Sequence, residues 1–312
     1  MARLAHTDLD VFPLCLGGNV FGWTIDEERS FEVLDAYFQA GGNFIDTSDS
    51  YGRRGPGGPG ESERIIGRWM ASRANRDSLV IATKVGMAPD LQGLSRETIR
   101  RGIEGSLQRL GIDTVDLYYA HRDDPDTPLR ETLGEFGALV AEGKIRHAGA
   151  SNYSAARLSE ALELGRQDGI AAYVALQPHY NLLERGGYEG ALAEVCRQYG
   201  IACIPYFGLA KGFLTGKYRR GAPDVESPRA ASVRDYCNER GFAVLDALDE
   251  IAAARGSSPA ALSLTWLLAQ PTVLAPIASA TSTAQLSELL ECAELELSDA
   301  ELEQLRAASG SG

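Results

Sequence analysis

Apolar residues in this chain collect in short unbroken runs separated by longer stretches of helical periodicity. The runs at residues 14–18, 43–46, 79–84, 115–121, 147–150, 173–176, 201–205 and 273–277 are too short for helices and read as buried strands. Between them lie segments at 27–40, 61–71, 96–110, 128–142, 155–166, 190–199, 242–255 and 259–268 that read as helices. Their ends carry the expected signals. Asp26 and Ser95 are placed as N-caps, Pro128 falls at a first turn, and Gly41-Gly42 and Gly143 act as stops. Phe31, Leu34, Ala36 and Phe38 supply an apolar face for the first helix, and Ile99, Ile103, Leu107 and Leu110 one for the third.

Strands alternating with helices predict a parallel sheet, and eight repeats at this spacing favour a closed (β/α)8 TIM barrel. Residues 3–12 predict an N-terminal β-hairpin turning at Thr7-Asp8-Leu9-Asp10, and 283–292 and 298–307 read as extra C-terminal helices. No Pro/Ser-rich linker or internal repeat divides the chain, so residues 1–312 are expected to form a single domain. From Phe207 to about Ser232 runs a long glycine-bearing loop containing Lys211, Lys217, Arg219 and Arg220. Loops of that length without periodicity are usually functional.

Three adjacent strands end on chemistry. Phe44-Ile45-Asp46 runs on to Tyr51-Gly52, the next strand ends at Lys84, and the one after at His121. Taken singly, the aspartate reads as a cap, the tyrosine as core edge, the lysine as surface and the histidine as a satisfied polar residue. Taken together they point to a site, because a barrel brings the C-terminal ends of neighbouring strands to one mouth.

Composition narrows the possibilities. The chain has 312 residues, 44% of them hydrophobic, and a formal net charge of −13, so its mean field repels nucleic acid and anionic membranes. Cys15, Cys196, Cys203, Cys237 and Cys292 are dispersed and odd in number, which suggests reduced cytoplasmic thiols. No long apolar region opens the chain and no run of about 18 apolar residues occurs, so a soluble, intracellular protein is expected.

Several motifs fail on inspection. Gly55-Pro56-Gly57-Gly58-Pro59-Gly60 satisfies G-x-G-x-x-G, but no strand precedes it and its prolines lack the N–H groups a pyrophosphate needs. The histidines, His6, His121, His147 and His179, have no metal-ligand spacing, so no metal is expected. The run Gly149-Ala150-Ser151-Asn152-Tyr153 is not a hydrolase nucleophile elbow.

The four strand-end residues suit one task. A tyrosine of reference pKa ~10 is a poor acid–base group until a neighbouring ammonium stabilises its phenolate and lowers that value. A carboxylate keeps the ammonium charged and fixed, and an imidazole opposite can hold a carbonyl oxygen. The set is built to protonate an oxygen as negative charge develops on it, as when hydride reaches a carbonyl.

Over nearly its whole length the chain also resembles the aldo-keto reductases. The resemblance rests on Gly41-Gly42-Asn43-Phe44-Ile45-Asp46-Thr47 through Tyr51-Gly52, Ala82-Thr83-Lys84, and Asp116-Leu117-Tyr118-Tyr119-Ala120-His121-Arg122. It continues through Glu142-Gly143-Lys144-Ile145-Arg146, Gly149-Ala150-Ser151-Asn152, Leu176-Gln177-Pro178-His179-Tyr180-Asn181-Leu182 and Leu214-Thr215-Gly216-Lys217-Tyr218. It implies a barrel binding NADP(H) or NAD(H), with Tyr51 as general acid, Lys84 and Asp46 tuning it, and His121 orienting the carbonyl. By the same resemblance Ser151, Asn152 and Gln177 bond the carboxamide and Tyr206 stacks on the nicotinamide. Phe207, Gly208, Leu209, Lys211, Gly212 and Lys217 close over the pyrophosphate, and Ser279, Thr281 and Gln285 meet the adenosine ribose. Gly18, Asn19 and Asp46 join this cofactor set.

Two departures stand out. Phe207-Gly208-Leu209 replaces the Ser-Pro-Leu of many relatives, with Lys211 where small residues are usual. The segment 278–285 contains no lysine or arginine for a 2′-phosphate, although Lys217, Arg219 or Arg220 could reach it. Family grounds favour NADP(H), with NAD(H) open. Phe21, Trp23 and the loop Gly52–Gly60 are expected to border the substrate together with Tyr51 and His121, against an aldehyde, ketone or sugar-derived carbonyl. The competing readings are a cofactor-sensing regulatory barrel, like the channel-associated members of the family, and an isomerase or lyase using Lys84 as a Schiff base.

Overall fold

The computed structural model describes every residue except 171, 222–227, 229, 311 and 312, so part of the expected loop 207–232 lies outside the described residues. The strands are β1 (Ala2–Arg3), β2 (Asp10–Val11), β3 (Cys15–Gly17), β4 (Phe44–Asp46), β5 (Val80–Val85), β6 (Met87–Ala88), β7 (Leu91–Gln92), β8 (Val115–Ala120), β9 (Ile145–Ser151), β10 (Tyr173–Gln177), β11 (Ala202–Cys203) and β12 (Ile277–Ala278). The helices are α1 (Glu27–Gln39), α2 (Glu61–Arg73), α3 (Arg96–Leu110), α4 (Leu129–Ala141), α5 (Ala155–Asp168), α6 (Ala191–Tyr199), α7 (Ala230–Val233), α8 (Glu239–Arg255), α9 (Pro259–Leu268), α10 (Thr283–Leu290) and α11 (Asp299–Ser309).

Eight strands form one sheet in the order β12-β3-β4-β5-β8-β9-β10-β11, every neighbouring pair parallel. The ends meet through residues 272–278. Cys203 N–H donates to Thr272 O, Leu274 N–H to Cys203 O and Ile277 N–H to Pro205 O, while Pro276 O accepts from Cys15 N–H on the other side. The closed (β/α)8 barrel expected from the sequence is present. Its last strand differs from the expected 273–277, because Pro276 has no N–H and the segment divides its bonds between two neighbours.

Strand parity positions the site. Phe44 on β4, Val80 and Ala82 on β5, Leu117 and Tyr119 on β8 and Ala175 on β10 fill the barrel interior, and the hairpin residues Leu4, Leu9 and Val11 join that cluster. The alternate residues Ile45, Ile81, Tyr118 and Leu176 pack outward with the helices. Continuing the inward set by two residues reaches Asp46, Lys84 and Gln177. Gly149 makes room for the Tyr119 ring, since a Cβ there would lie 2.4 Å from it.

The caps fall where expected: Asp26 accepts from Arg29 N–H and Ser95 from Thr98 N–H. On α1 the buried face is Val33, Leu34 and Tyr37, whereas Phe31, Ala36 and Phe38 are half-buried. Tyr37 reaches the barrel wall, its hydroxyl donating to Leu14 O at 2.6 Å, which the aliphatic pattern did not foretell. The hairpin of β6 and β7 was also unforeseen.

Candidate active site

Lys84 is fully buried and its ammonium is satisfied by three acceptors. Nζ donates to Asp46 Oδ2 at 2.6 Å, to Thr47 O at 2.7 Å and to the Tyr51 hydroxyl at 3.1 Å. Asp46 Oδ1 accepts from Gln177 Nε2 at 2.9 Å. Burial opposes the charge on Lys84, but Asp46 and Tyr51 outweigh it and raise its pKa, so the ammonium is retained. Burial raises the Asp46 carboxyl against the restraining Lys84 charge.

Tyr51 departs from expectation. Lys84 pulls its phenol downward, yet burial is the larger effect and the net shift is upward from 10.0. The neighbour is as the sequence implied; the depth was not legible there. His121 faces Tyr51 edge-on with ring centroids 6.2 Å apart. Burial, with Lys84, Arg122 and Arg53 adding to it, pushes its imidazole well below 6.5, so the ring is neutral at physiological pH. Its Nδ1 lies 3.3 Å from Ser48 Oγ, and its Nε2 makes no hydrogen bond among the described residues.

A cavity of about 790 Å3 opens from these residues, in the size range of small-molecule sites. Its wall includes Asp46, Tyr51, His121, Ser151, Asn152, Gln177, Tyr206, Phe207, Gly208, Leu209, Lys211, Gly212 and Lys217, and it continues past Asn19 to Ser279, Thr281 and Gln285. The expected site residues are thus brought together, with three corrections. Phe21 is fully buried in the core and is absent from the cavity wall. Trp23 is absent from the wall and lies 5.2 Å from the Arg54 guanidinium. Gly17 lines the cavity in place of Gly18, which is buried with its carbonyl accepting from Ser62.

Asn152 is committed within the protein. Its amide donates to His121 O at 2.9 Å and to Ser151 Oγ at 3.0 Å, and its oxygen accepts from the Tyr206 hydroxyl at 2.8 Å. Tyr206 stacks on His179 with centroids 5.3 Å apart, which sets the ring's plane on the wall. Past it, Phe207, Ala210 and Lys211 hold φ values of 55°, 46° and 59°. Such left-handed backbone costs of order 1 kcal/mol or more at a non-glycine residue and clusters at functional sites.

These features could hold a nicotinamide dinucleotide: an aromatic plane near Tyr51, lysines along the groove, and hydroxyls and amides beyond. Of the cations offered for a 2′-phosphate, Arg219 is paired with Asp249 and Arg220 with Glu239; Lys217 lies on the wall. Sequence reasoning missed Arg122, Thr24, Met87 and Glu288 and reached Arg53 only through its loop, Gly52–Gly60; all five also line the cavity. The adjacency of Arg122 to His121 and of Arg53 to Tyr51 was the available signal for two of them. Among the described residues no group of histidines, cysteines and carboxylates is placed to hold a metal.

The barrel and the residues at its strand ends define an enzyme that works at the C-terminal mouth of a (β/α)8 fold. The chain belongs to the aldo/keto reductase family, whose model matches residues 13–309. It is 34% identical to an L-glyceraldehyde 3-phosphate reductase of Escherichia coli over 91% of this chain and 85% of that protein. It is 30% identical to a norsolorinic acid reductase of Emericella nidulans, over 95% and 77% of the two chains. A probable voltage-gated potassium channel subunit beta of Oryza sativa is 31% identical over 94% and 90%. The protein is an oxidoreductase of this family, and carbonyl reduction is its general chemistry.

Proposed function

We propose that residues 1–312 act as one domain that reduces an aldehyde or ketone, including sugar-derived carbonyls, with Tyr51 as proton donor. The observation that carries the reading is the 3.1 Å bond from the buried Lys84 ammonium to the Tyr51 hydroxyl. When bound, the nicotinamide supplies hydride to the carbonyl carbon. Tyr51 holds its proton firmly in the absence of developing charge, since burial raises its pKa. As the carbonyl oxygen becomes anionic, Tyr51 donates to it, and Lys84 compensates the phenolate that remains. Asp46 holds Lys84 in place. Neutral His121, with Nε2 without a protein partner, orients the same oxygen.

Ser151, Asn152 and Gln177 are assigned to the carboxamide, Tyr206 to the nicotinamide face, and Phe207, Gly208, Leu209, Lys211, Gly212 and Lys217 to the pyrophosphate, with Asn19 beside Ser279. Asn152 positions His121 and Tyr206. Lys217 on the wall, offered also for a 2′-phosphate, supports NADP(H), while Gln285 and the carboxylate of Glu288 support NAD(H). We take NADP(H) as the preferred form. The odd number of dispersed cysteines fits a cytoplasmic setting, and the substrate is a small molecule. No helix among the described residues is long and apolar enough to cross a membrane.

The test is fluorescence titration with NADPH and NADH, followed by a carbonyl panel monitored by cofactor oxidation. Tighter NADPH binding with turnover of at least one carbonyl supports the reading. Tight binding with negligible turnover across the panel supports a cofactor-sensing barrel instead, a reading favoured by the likeness to a channel subunit.

A further inference from the structure

We infer that the substrate carries an anionic group, a carboxylate or a phosphate, which Arg53 and Arg122 bind at the cavity mouth. This rests on the carbonyl-reductase reading of the same site. The arginines of this chain are generally compensated: Arg68 is held by Glu27 and Glu61, Arg100 by Glu135 and Glu142, and Arg146 by Asp8 and Asp116. With a net charge of −13 there is no shortage of carboxylates. Arg53 and Arg122 are different. Both line the cavity, and neither has an ion pair or hydrogen bond among the described residues.

Their placement is defined on both sides. Arg122 directly follows His121, whose N–H donates to Val85 O at 3.0 Å and whose carbonyl accepts from Asn152 at 2.9 Å. Arg53 lies two residues after Tyr51, in a loop packed closely on the turn after β3. A Cβ on Gly55 would sit 1.7 Å from Gly22 O, and the next arginine, Arg54, rests on Trp23 at 5.2 Å. The two backbones that carry these guanidiniums are therefore held, while the guanidiniums remain available.

Arg53 and Arg122 line the same cavity as the neutral His121 imidazole. Their field acts on His121. An anionic group there is bonded by planar, always-charged donors suited to carboxylate and phosphate oxygens. They follow β4 and β8, the strands next to the acid and the carbonyl-orienting group. Lys211 and Lys217 come from the loop after β11. The charged end of the substrate is thereby assigned to the Tyr51–His121 side of the cavity. Thr24, Ser50 and Met87 also line the cavity.

Two matched pairs test the inference with the reduced cofactor: 4-oxobutanoate against butanal, and glyceraldehyde 3-phosphate against glyceraldehyde. The expected result is a kcat/KM advantage of about tenfold or more for the anionic member of at least one pair. The advantage shrinks toward unity in R53Q/R122Q and falls with added salt in the wild type. An advantage in the first pair identifies a carboxylate, and in the second a phosphate. Equal rates within both pairs, or an advantage that survives R53Q/R122Q, overturn the inference while leaving the reductase reading intact. If no member of either pair turns over, calorimetric binding of succinate and 3-phosphoglycerate reads the same arginines without catalysis. Binding weakened in R53Q/R122Q supports the inference; absent or unchanged binding overturns it.

Discussion

Gln177 Nε2 donates to Asp46 Oδ1 at 2.9 Å, linking β10 to β4 through the barrel interior across 131 positions of sequence. With Lys84 on Oδ2, each carboxylate oxygen has its own donor. Asp46 is thereby held as a fixed counter-charge, its oxygens turned to Lys84 and Gln177.

Lys84→Met tests that arrangement. It strands the Asp46 carboxylate in the barrel without its ammonium, and breaking a buried pair on one side costs about 3–5 kcal/mol. Urea unfolding should show a loss of that size, and turnover should be abolished because Tyr51 loses its stabilising charge. A stability close to wild type would mean that the pair contributes little to holding the site.

Asp49 provides a pH-dependent test. It is 3% exposed, its Oδ2 has no partner, and burial, with Glu63 adding to it, raises its pKa from 3.8 to about 7. Ser48, Arg109 and Lys84 oppose that rise. A carboxyl raised in the folded state contributes stability below its unfolded pKa and loses it as pH rises through the folded value. Asp49→Asn should therefore match wild type near pH 4 and exceed it at pH 8 by as much as about 4 kcal/mol, one pKa unit being about 1.4. Denaturant midpoints at the two pH values measure this.

The pH dependence of reduction follows from the same cluster. Tyr51 is raised above 10.0 and His121 lowered well below 6.5, so neither titrates between pH 7 and 9. Reduction should stay level through that window as far as these two residues govern it, and fall only as Tyr51 loses its proton at higher pH. Alcohol oxidation, which needs the phenolate, should rise with pH. An inflection near 7 would belong to Asp49, which reaches His121 through Ser48, and should vanish in Asp49→Asn.

Much of this architecture was legible in the chain because β parity is a local property. Once Phe44 and Ala82 are assigned inward, Asp46 and Lys84 follow two residues later. Cap residues such as Asp26 and Ser95 act within one turn and were equally readable. What failed depended on three-dimensional depth. Phe21 looked like a pocket aromatic and lies in the core, and the upward shift of Tyr51 reflects burial that no motif encodes. Arg53 and Arg122 resemble solvated surface charges until their place on the cavity wall is visible. The last strand moved because Pro276 breaks a pairing pattern that apolarity alone predicts.

The central claim is that Tyr51 gives its proton to the carbonyl oxygen. Tyr51→Phe removes one hydroxyl, keeps the ring against Lys84 and His121, and leaves the cofactor groove untouched. Single-turnover reduction in this variant, with cofactor binding followed by fluorescence, tests the claim most directly. The account predicts cofactor affinity within about threefold of wild type and a chemical step slowed by at least about a hundredfold, the lower end of what a positioned general acid supplies. A chemical step near the wild-type rate would contradict it.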